Sequence, residues 1–202
     1  MTIQTPRLVP RALPPALILL FVLSLAFLNY GNYQAGTAPW EMVVNAILLS
    51  IPLGMFYFSV GLLVAAARQW RSQAQFGRRL ASMLYWTPRI AGLLITLFVG
   101  IFALDVFGEG YSFWDLIVGL FMHLIPSFVL ALILVLAWRW EWIGFVAYMA
   151  AAAFFMVLAF RDLIQGLGIL LIFICPIVVI ALLFGANWRW RTELRQARAA
   201  RV

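Results

Sequence analysis

The stretch Asp105–Trp142, DVFGEGYSFWDLIVGLFMHLIPSFVLALILVLAWRWEW, decides the fold of this chain. An acidic turn leads into a long apolar run, and the run ends in a cluster of tryptophan and arginine. The only histidine of the chain, His123, lies near the middle of the run. A helix that crosses a bilayer needs about 20 apolar residues, with aromatic and basic residues common where it meets the lipid headgroups. The stretch therefore predicts a transmembrane helix with one ionisable side chain near mid-membrane.

The composition extends this interpretation to the whole chain. Of its 202 residues, 66% are hydrophobic and only 10% are charged, and the mean hydropathy is +1.03. A soluble globular domain carries about 25% charged residues, so this chain has too few polar side chains to cover a water-exposed surface. We therefore expect a membrane protein.

Apolar runs separated by polar or basic segments predict an all-α bundle of six transmembrane helices in a single membrane domain. Gly92, Thr96 and Gly100 recur every fourth residue and predict a surface on which a neighbouring helix packs closely. Pro126 and Pro176 fall inside spans, where each is expected to bend the helix and free a carbonyl one turn earlier. The predicted spans are residues 13–30, 41–67, 90–107, 112–138, 142–160 and 166–188, with a basic loop at 68–89 and a basic tail at 189–202.

The arginines predict the orientation of the bundle. The chain has a net charge of +7, and thirteen of its fourteen arginines fall in the N-terminal segment, the loop after span two, the WRWEW turn and the tail. Cytoplasmic loops of membrane proteins carry such an excess, so both termini are predicted to be cytoplasmic. The arginines flank apolar runs and form no separate basic domain, so we expect no nucleic-acid partner. Residues 68–89 form either a plain loop or an amphipathic helix at the interface.

His123 is the sharpest candidate for a functional residue. It lies eleven residues past Ser112, which at 1.5 Å per residue is roughly 16 Å into the bilayer. Asp115, Gly119, His123 and Ser127 follow at four-residue steps and form one slowly drifting stripe. The stripe indicates either a path for protons from the outer side or a neutral imidazole bonded to a neighbouring helix. In both interpretations, we expect the ring to face the bundle interior.

Other polar residues leave two interpretations open. Asp105, Glu109 and Asp115 form either an outward-facing cation site or a set of solvated loop charges.

Glu141, at the opposite end of the same span, is expected to form an ion pair with another loop. The basic loop and the basic tail are expected to contact anionic lipid headgroups as well as to direct topology.

No motif in the chain indicates catalysis or a bound cofactor. The GxSxG, Walker, HExxH and dinucleotide-binding patterns are missing from the sequence. A b-type haem generally needs two axial ligands, and with one histidine the second would have to be a methionine. The single cysteine, Cys175, cannot form an internal disulfide. We expect no enzymatic activity, no cofactor and no metal.

The run from Arg89 to Tyr148 resembles a group of small, uncharacterised bacterial multi-pass membrane proteins. The motifs that carry the resemblance are ALDVFxE, HLIP and AWRWEWIG. The resemblance implies a bacterial source, and hence the cytoplasmic (inner) membrane, but no known activity.

Two functions remain as hypotheses. The first is an accessory or assembly subunit that packs against a membrane-protein partner or a second copy, as the small-residue stripe and sparse polar interior indicate. The second is a small proton- or ion-coupled permease that uses His123 and the outer carboxylates.

Overall fold

The computed structural model describes residues 12–108, 110, 112–159 and 163–199. Within these ranges the chain is helical and contains no strand. A 3₁₀ helix (Phe102–Gly108) continues the third α-helix, and a π-helical turn (Leu170–Ile174) joins the sixth to the seventh. The α-helices are α1 (Leu13–Gln34), α2 (Pro39–Gln73), α3 (Arg78–Ile101), α4 (Phe113–Arg139), α5 (Glu141–Ala159), α6 (Leu163–Ile169), α7 (Cys175–Arg189) and α8 (Arg191–Ala199).

Five helical stretches of the described chain are long and apolar enough to cross a membrane. The all-α prediction is confirmed, and α4 and α5 begin and end within one residue of the predicted fourth and fifth spans. The fifth predicted span, α5, is not one of these five, because its apolar part is shorter and covers Glu141–Val157. The five long stretches are Leu13–Gln34, Pro39–Gln73, Arg78–Gly108, Phe113–Arg139 and Gly166–Arg189.

The core of the bundle is formed by α3, α4, α5 and α7. The most extensive contact joins α5 to α7. Gly144 of α5 lets this helix lie close to both neighbours, because a Cβ there would lie 2.8 Å from the Phe184 ring of α7 and 2.6 Å from the Ala137 Cβ of α4. Fully buried side chains from all four helices fill the centre, among them Ile95, Leu130, Tyr148, Ile177, Ile180 and Phe184.

Helix α1 packs on the outside of this core. None of its residues is buried, and its main contact is with α2. Two polar pairs hold the helices together: the Ser24 and Tyr57 hydroxyls lie 2.7 Å apart, and the Asn45 amide donates to Asn29 at 3.2 Å. Because hydrogen bonds between helices are favourable in a bilayer, these pairs fix α1 where apolar packing is sparse.

The prediction of a basic loop at residues 68–89 is wrong. Helix α2 continues to Gln73, only residues 74–77 form a turn, and α3 begins at Arg78. The segment folds into helices because Leu80 and Leu84, one turn apart, are buried in a small cluster with Leu62 and Leu194. It therefore belongs to the two long helices and is not a separate interfacial helix.

The two prolines predicted to disturb spans act differently. Pro176 follows the π-helical turn, in which the Cys175 amide donates to the Leu170 carbonyl five residues earlier. This wider turn is the interruption expected in the last span. Helix α4 instead runs without a break through Pro126, so α4 is not a broken helix.

The small-residue stripe on α3 faces neighbouring helices, as predicted. A Cβ on Gly92 would lie 2.8 Å from both the Leu134 side chain and the Tyr148 hydroxyl, and a Cβ on Gly100 would lie 3.3 Å from the Ser127 hydroxyl. Glycine at these positions lets α4 approach α3 closely and leaves room beside α3 for the Tyr148 side chain of α5.

Candidate functional site

The described arginines lie on helices that meet at one end of the bundle, called here the basic end. The end of α2, the start of α3, the α4–α5 turn, the end of α7 and α8 converge there. Trp70, Phe76 and Trp190 link three of these elements, with ring centres 5.1–5.8 Å apart. Charges that are scattered along the sequence are thereby gathered on one side. The described arginines are Arg68, Arg71, Arg78, Arg79, Arg89, Arg139, Arg189, Arg191, Arg195 and Arg198.

The site includes a proline within α3, Pro88. Pro88 has no amide hydrogen, so the Leu84 carbonyl four residues earlier loses its helical donor. The Asn187 side chain of α7 donates to this carbonyl at 2.7 Å and to its own Leu183 carbonyl at 2.9 Å. Asn187 is 2% exposed, and an unpaired amide at that depth would be costly. Proline and asparagine together therefore fasten α3 to α7.

Arg89, the residue after this proline, is buried against a carboxylate. Its guanidinium is 1% exposed and lies 3.5 Å from Glu141 Oε1, while Arg191 Nε lies 3.8 Å from Glu141 Oε2. A second guanidinium nitrogen of Arg89 donates to the Tyr85 carbonyl at 2.5 Å, and Nε is buried without a partner. The ion pair predicted for Glu141 therefore forms, but its partners lie on helices rather than on a loop.

A polar cavity of about 160 Å³ lies beside this ion pair. Four arginines line it, and Glu141 is the acidic residue among the lining side chains. The Tyr85 ring packs against two guanidinium groups, those of Arg89 and Arg198, each 3.7 Å from the ring centre. Positive charge thus exceeds negative charge around an open space, an arrangement that attracts anions. The lining residues, called here the basic cavity, are Tyr85, Trp138, Arg139, Glu141, Asn187, Arg191, Leu194, Arg195 and Arg198.

Beneath the ion pair the core becomes apolar again. The Tyr148 ring stacks on Phe184 with centres 5.8 Å apart and planes 8° from parallel, and the Arg89 guanidinium lies 5.8 Å from the same Phe184 ring. The Tyr148 hydroxyl is buried without a hydrogen-bond partner beside Gly92. Aromatic packing therefore replaces the charged groups on the core side of Arg89.

His123 does not face the bundle interior, and that prediction is wrong. Its side chain is exposed on α4, and Nδ1 lies 2.9 Å from the Gly119 carbonyl of the same helix. The reason is the drift of the four-residue stripe, since each step turns about 40° beyond a full circle. Ser127, one step later, is buried and donates to the Thr96 carbonyl at 2.8 Å, so the stripe enters the core only there.

The remaining predicted site residues are not brought together with His123. Asp105 and Asp115 are exposed at the end opposite the arginines, and the Asp115 carboxylate pairs with the Ser112 hydroxyl at 2.6 Å. Glu109 lies outside the described residues. In the part of the chain that the structure describes, no three histidine, cysteine, aspartate or glutamate side chains are grouped to hold a metal ion.

Sequence reasoning did not find Arg89, Asn187 and Tyr85 as members of a site. A usable signal was present: Pro88 within a helix requires a replacement donor for one carbonyl, and Asn187 is a side-chain donor within the last apolar run. Their pairing across 103 residues of sequence cannot be read from local patterns.

The chain is a helical protein of the multi-pass membrane class, since five of its described helical stretches are long and apolar enough to cross a membrane. It belongs to the family described as "Domain of unknown function (DUF7670)", whose model matches residues 77–198. The match begins at the turn before α3 and includes every lining residue of the basic cavity. No curated protein and no solved structure matches the chain.

Proposed function

We propose that this protein is a non-enzymatic subunit of the bacterial inner membrane that packs against a membrane-protein partner through the outer face of α4. The observation that carries the proposal is the exposed His123. Ionisable residues within a span usually face a bundle interior or a partner, because a polar group in hydrocarbon is costly. His123 faces away from the helices of its own chain, so a helix of another protein is its natural cover.

The surroundings of His123 support this assignment. His123 lies ten residues past the start of α4, about 15 Å along the helix, which corresponds to the middle of a bilayer. Its neighbours Phe121, Met122 and Ile125 are 62%, 63% and 50% exposed. Since an imidazole has two ring nitrogens that form hydrogen bonds, the bond to Gly119 leaves one for a partner. We infer a partner helix with a hydrogen-bonding side chain at this depth.

The proposal includes six membrane crossings with both termini in the cytoplasm. The described arginines gather at one end of the bundle, which agrees with the positive-inside rule. Helix α5 has 19 residues, about the length that hydrocarbon requires. Reporter fusions at Gly36 and Gly110 should be extracytoplasmic, and fusions at Gln75 and Val202 cytoplasmic. A fusion at Val202 that reports an extracytoplasmic position would contradict the span count.

Site-specific photocrosslinking in native membranes tests the partner. A crosslinker at Met122 should form an adduct with a second polypeptide, whereas one at Val22, on the outer face of α1, should react with lipid. The Met122 adduct should disappear in a His123→Leu background and persist with Ile125→Leu. An adduct that survives His123→Leu, or no protein adduct at Met122, contradicts the proposal. An adduct at twice the mass of 22.8 kDa identifies the partner as a second copy.

A permease is less well supported. It would need His123 to reach a water-filled path, and His123 lines none of the three described cavities. The basic cavity lies at the arginine end, where its α4 residues Trp138 and Arg139 are far along the helix from His123.

A further inference from the structure

We propose that the basic cavity binds the phosphate group of an anionic phospholipid from the cytoplasmic leaflet. The inference rests on the geometry of the cavity and is independent of the partner that covers α4.

The charge of the cavity favours an anion with a compact, multivalent oxygen group. Arg139 of α4 and Arg191, Arg195 and Arg198 of α8 line one space of about 160 Å³. Glu141 is already engaged by Arg89 and Arg191, so the remaining guanidinium groups have no carboxylate among the lining residues. Guanidinium groups bind phosphate through short, charge-assisted hydrogen bonds. A phosphate in the cavity would supply the negative charge that the site lacks.

Buried groups make this a built site rather than a patch of surface arginines. Arg89 is held behind Glu141 by the Tyr85 carbonyl and the Phe184 ring. Asn187, also a lining residue, is fixed by two carbonyls at 2.7 Å and 2.9 Å. Buried hydrogen bonds and packing therefore hold the wall of the cavity in place before any ligand arrives.

The position of the cavity selects a lipid as the source of the phosphate. Trp138 lines the cavity and is 49% exposed, and tryptophan favours the depth of lipid headgroups. Its ring contacts Trp86 edge-on, with centres 6.4 Å apart. Further along α3, Ile90 and Leu97 are 54% and 59% exposed. A headgroup in the cavity would thus place its acyl chains on an apolar surface of the same protein.

Thermal unfolding of the purified full-length protein in detergent tests the inference. Short-chain phosphatidylglycerol should raise the melting temperature, while phosphatidylcholine and inorganic phosphate should leave it nearly unchanged. The double variant Arg139→Gln/Arg195→Gln removes two exposed cavity arginines. It should weaken the apparent phosphatidylglycerol affinity about thirtyfold, because each of the two cavity arginines contributes roughly as much as a headgroup contact at a membrane surface.

The control is Arg68→Gln/Arg71→Gln, which removes the same charge from exposed positions of α2 at the basic end, outside the cavity. Its affinity should change by less than about twofold, since general surface attraction is largely screened by salt. If the cavity double variant folds poorly, the single variant Arg198→Gln, on the side of the cavity next to Tyr85, tests the same site and should weaken the affinity about fivefold. Equal losses in the cavity and control variants overturn the site. An equal shift with inorganic phosphate overturns the lipid as its ligand.

Discussion

At the basic end Glu141 is buried between the guanidinium groups of Arg89 and Arg191, whereas at the opposite end Asp105 and Asp115 remain exposed. At both ends, carboxylates lie beside a long apolar helix, so the two sequence patterns are similar. The difference is that guanidinium groups from α3 and α8 meet at Glu141, while Asp105 and Asp115 flank a single connection. A carboxylate becomes structurally important here only where other helices remove it from solvent and supply a cation.

The largest difference between the two ends should appear when a carboxylate is removed. Glu141→Leu leaves Arg89 buried without its counter-charge, and we expect a loss of about 3 kcal/mol of stability. Asp105→Leu, the same substitution at the exposed end, should change stability by no more than about 0.5 kcal/mol. Thermal and chemical unfolding in detergent measure both.

A compensating variant sharpens this test. The double variant Arg89→Met/Glu141→Leu replaces the ion pair with apolar side chains and should recover much of the stability that Glu141→Leu loses, because a paired replacement leaves no unpaired buried charge. Equal stability of Glu141→Leu and Asp105→Leu would show that the buried ion pair is not what distinguishes the ends.

Close packing should distinguish two glycines, one at each end. Gly144→Ala at the basic end places a Cβ 2.6 Å from the Ala137 Cβ, which cannot move without its backbone, and we expect a loss of about 1–3 kcal/mol. Gly31→Ala near the opposite end meets nothing within 4 Å and should be neutral or slightly stabilising, since alanine favours helix. Melting temperatures in detergent measure the stability of both variants. Equal effects of the two substitutions would contradict the close packing of α5 against α4 and α7.

A smaller effect is expected from the hydrogen bond that joins α3 to α4 between the two ends. Ser127→Ala removes the bond to the Thr96 carbonyl and should cost about 0.6 kcal/mol, the average for such bonds in a membrane protein. Ser50→Ala is the matched control, because that hydroxyl donates to the Ile47 carbonyl within its own helix. Chemical unfolding should rank the first variant below the second, and the reverse order would argue against the interhelical bond.

The smallest effect on the isolated protein should come from His123. Its recorded bond is to its own helix, so His123→Leu removes no contact between helices and should change stability in detergent by no more than about 0.5 kcal/mol. A large loss on unfolding in detergent would mean that the ring contributes to the core of its own chain.

Particular residues show how far sequence reasoning reached. The long apolar runs placed α4 and α5 to within one residue, and the Gly92–Gly100 spacing correctly predicted a close helix contact. The sequence left residues 68–89 open between a plain loop and an amphipathic interfacial helix, and neither alternative places them in the ends of the two long helices, because the burial of Leu80 and Leu84 depends on contacts with α2 and α8. His123 was placed on the wrong side of α4 because a helical stripe that drifts has no fixed face until the neighbouring helices are known.

By itself, the sequence determined that this chain is helical and apolar enough for a membrane, because composition and run length alone decide whether a segment tolerates hydrocarbon. It also determined which elements carry the arginines. Only the tertiary structure decided that Arg89, Glu141 and Asn187 form one site and that His123 lies outside the core. Such contacts depend on the rotation and position of whole helices, and these are set by the packing of many small and large side chains at once.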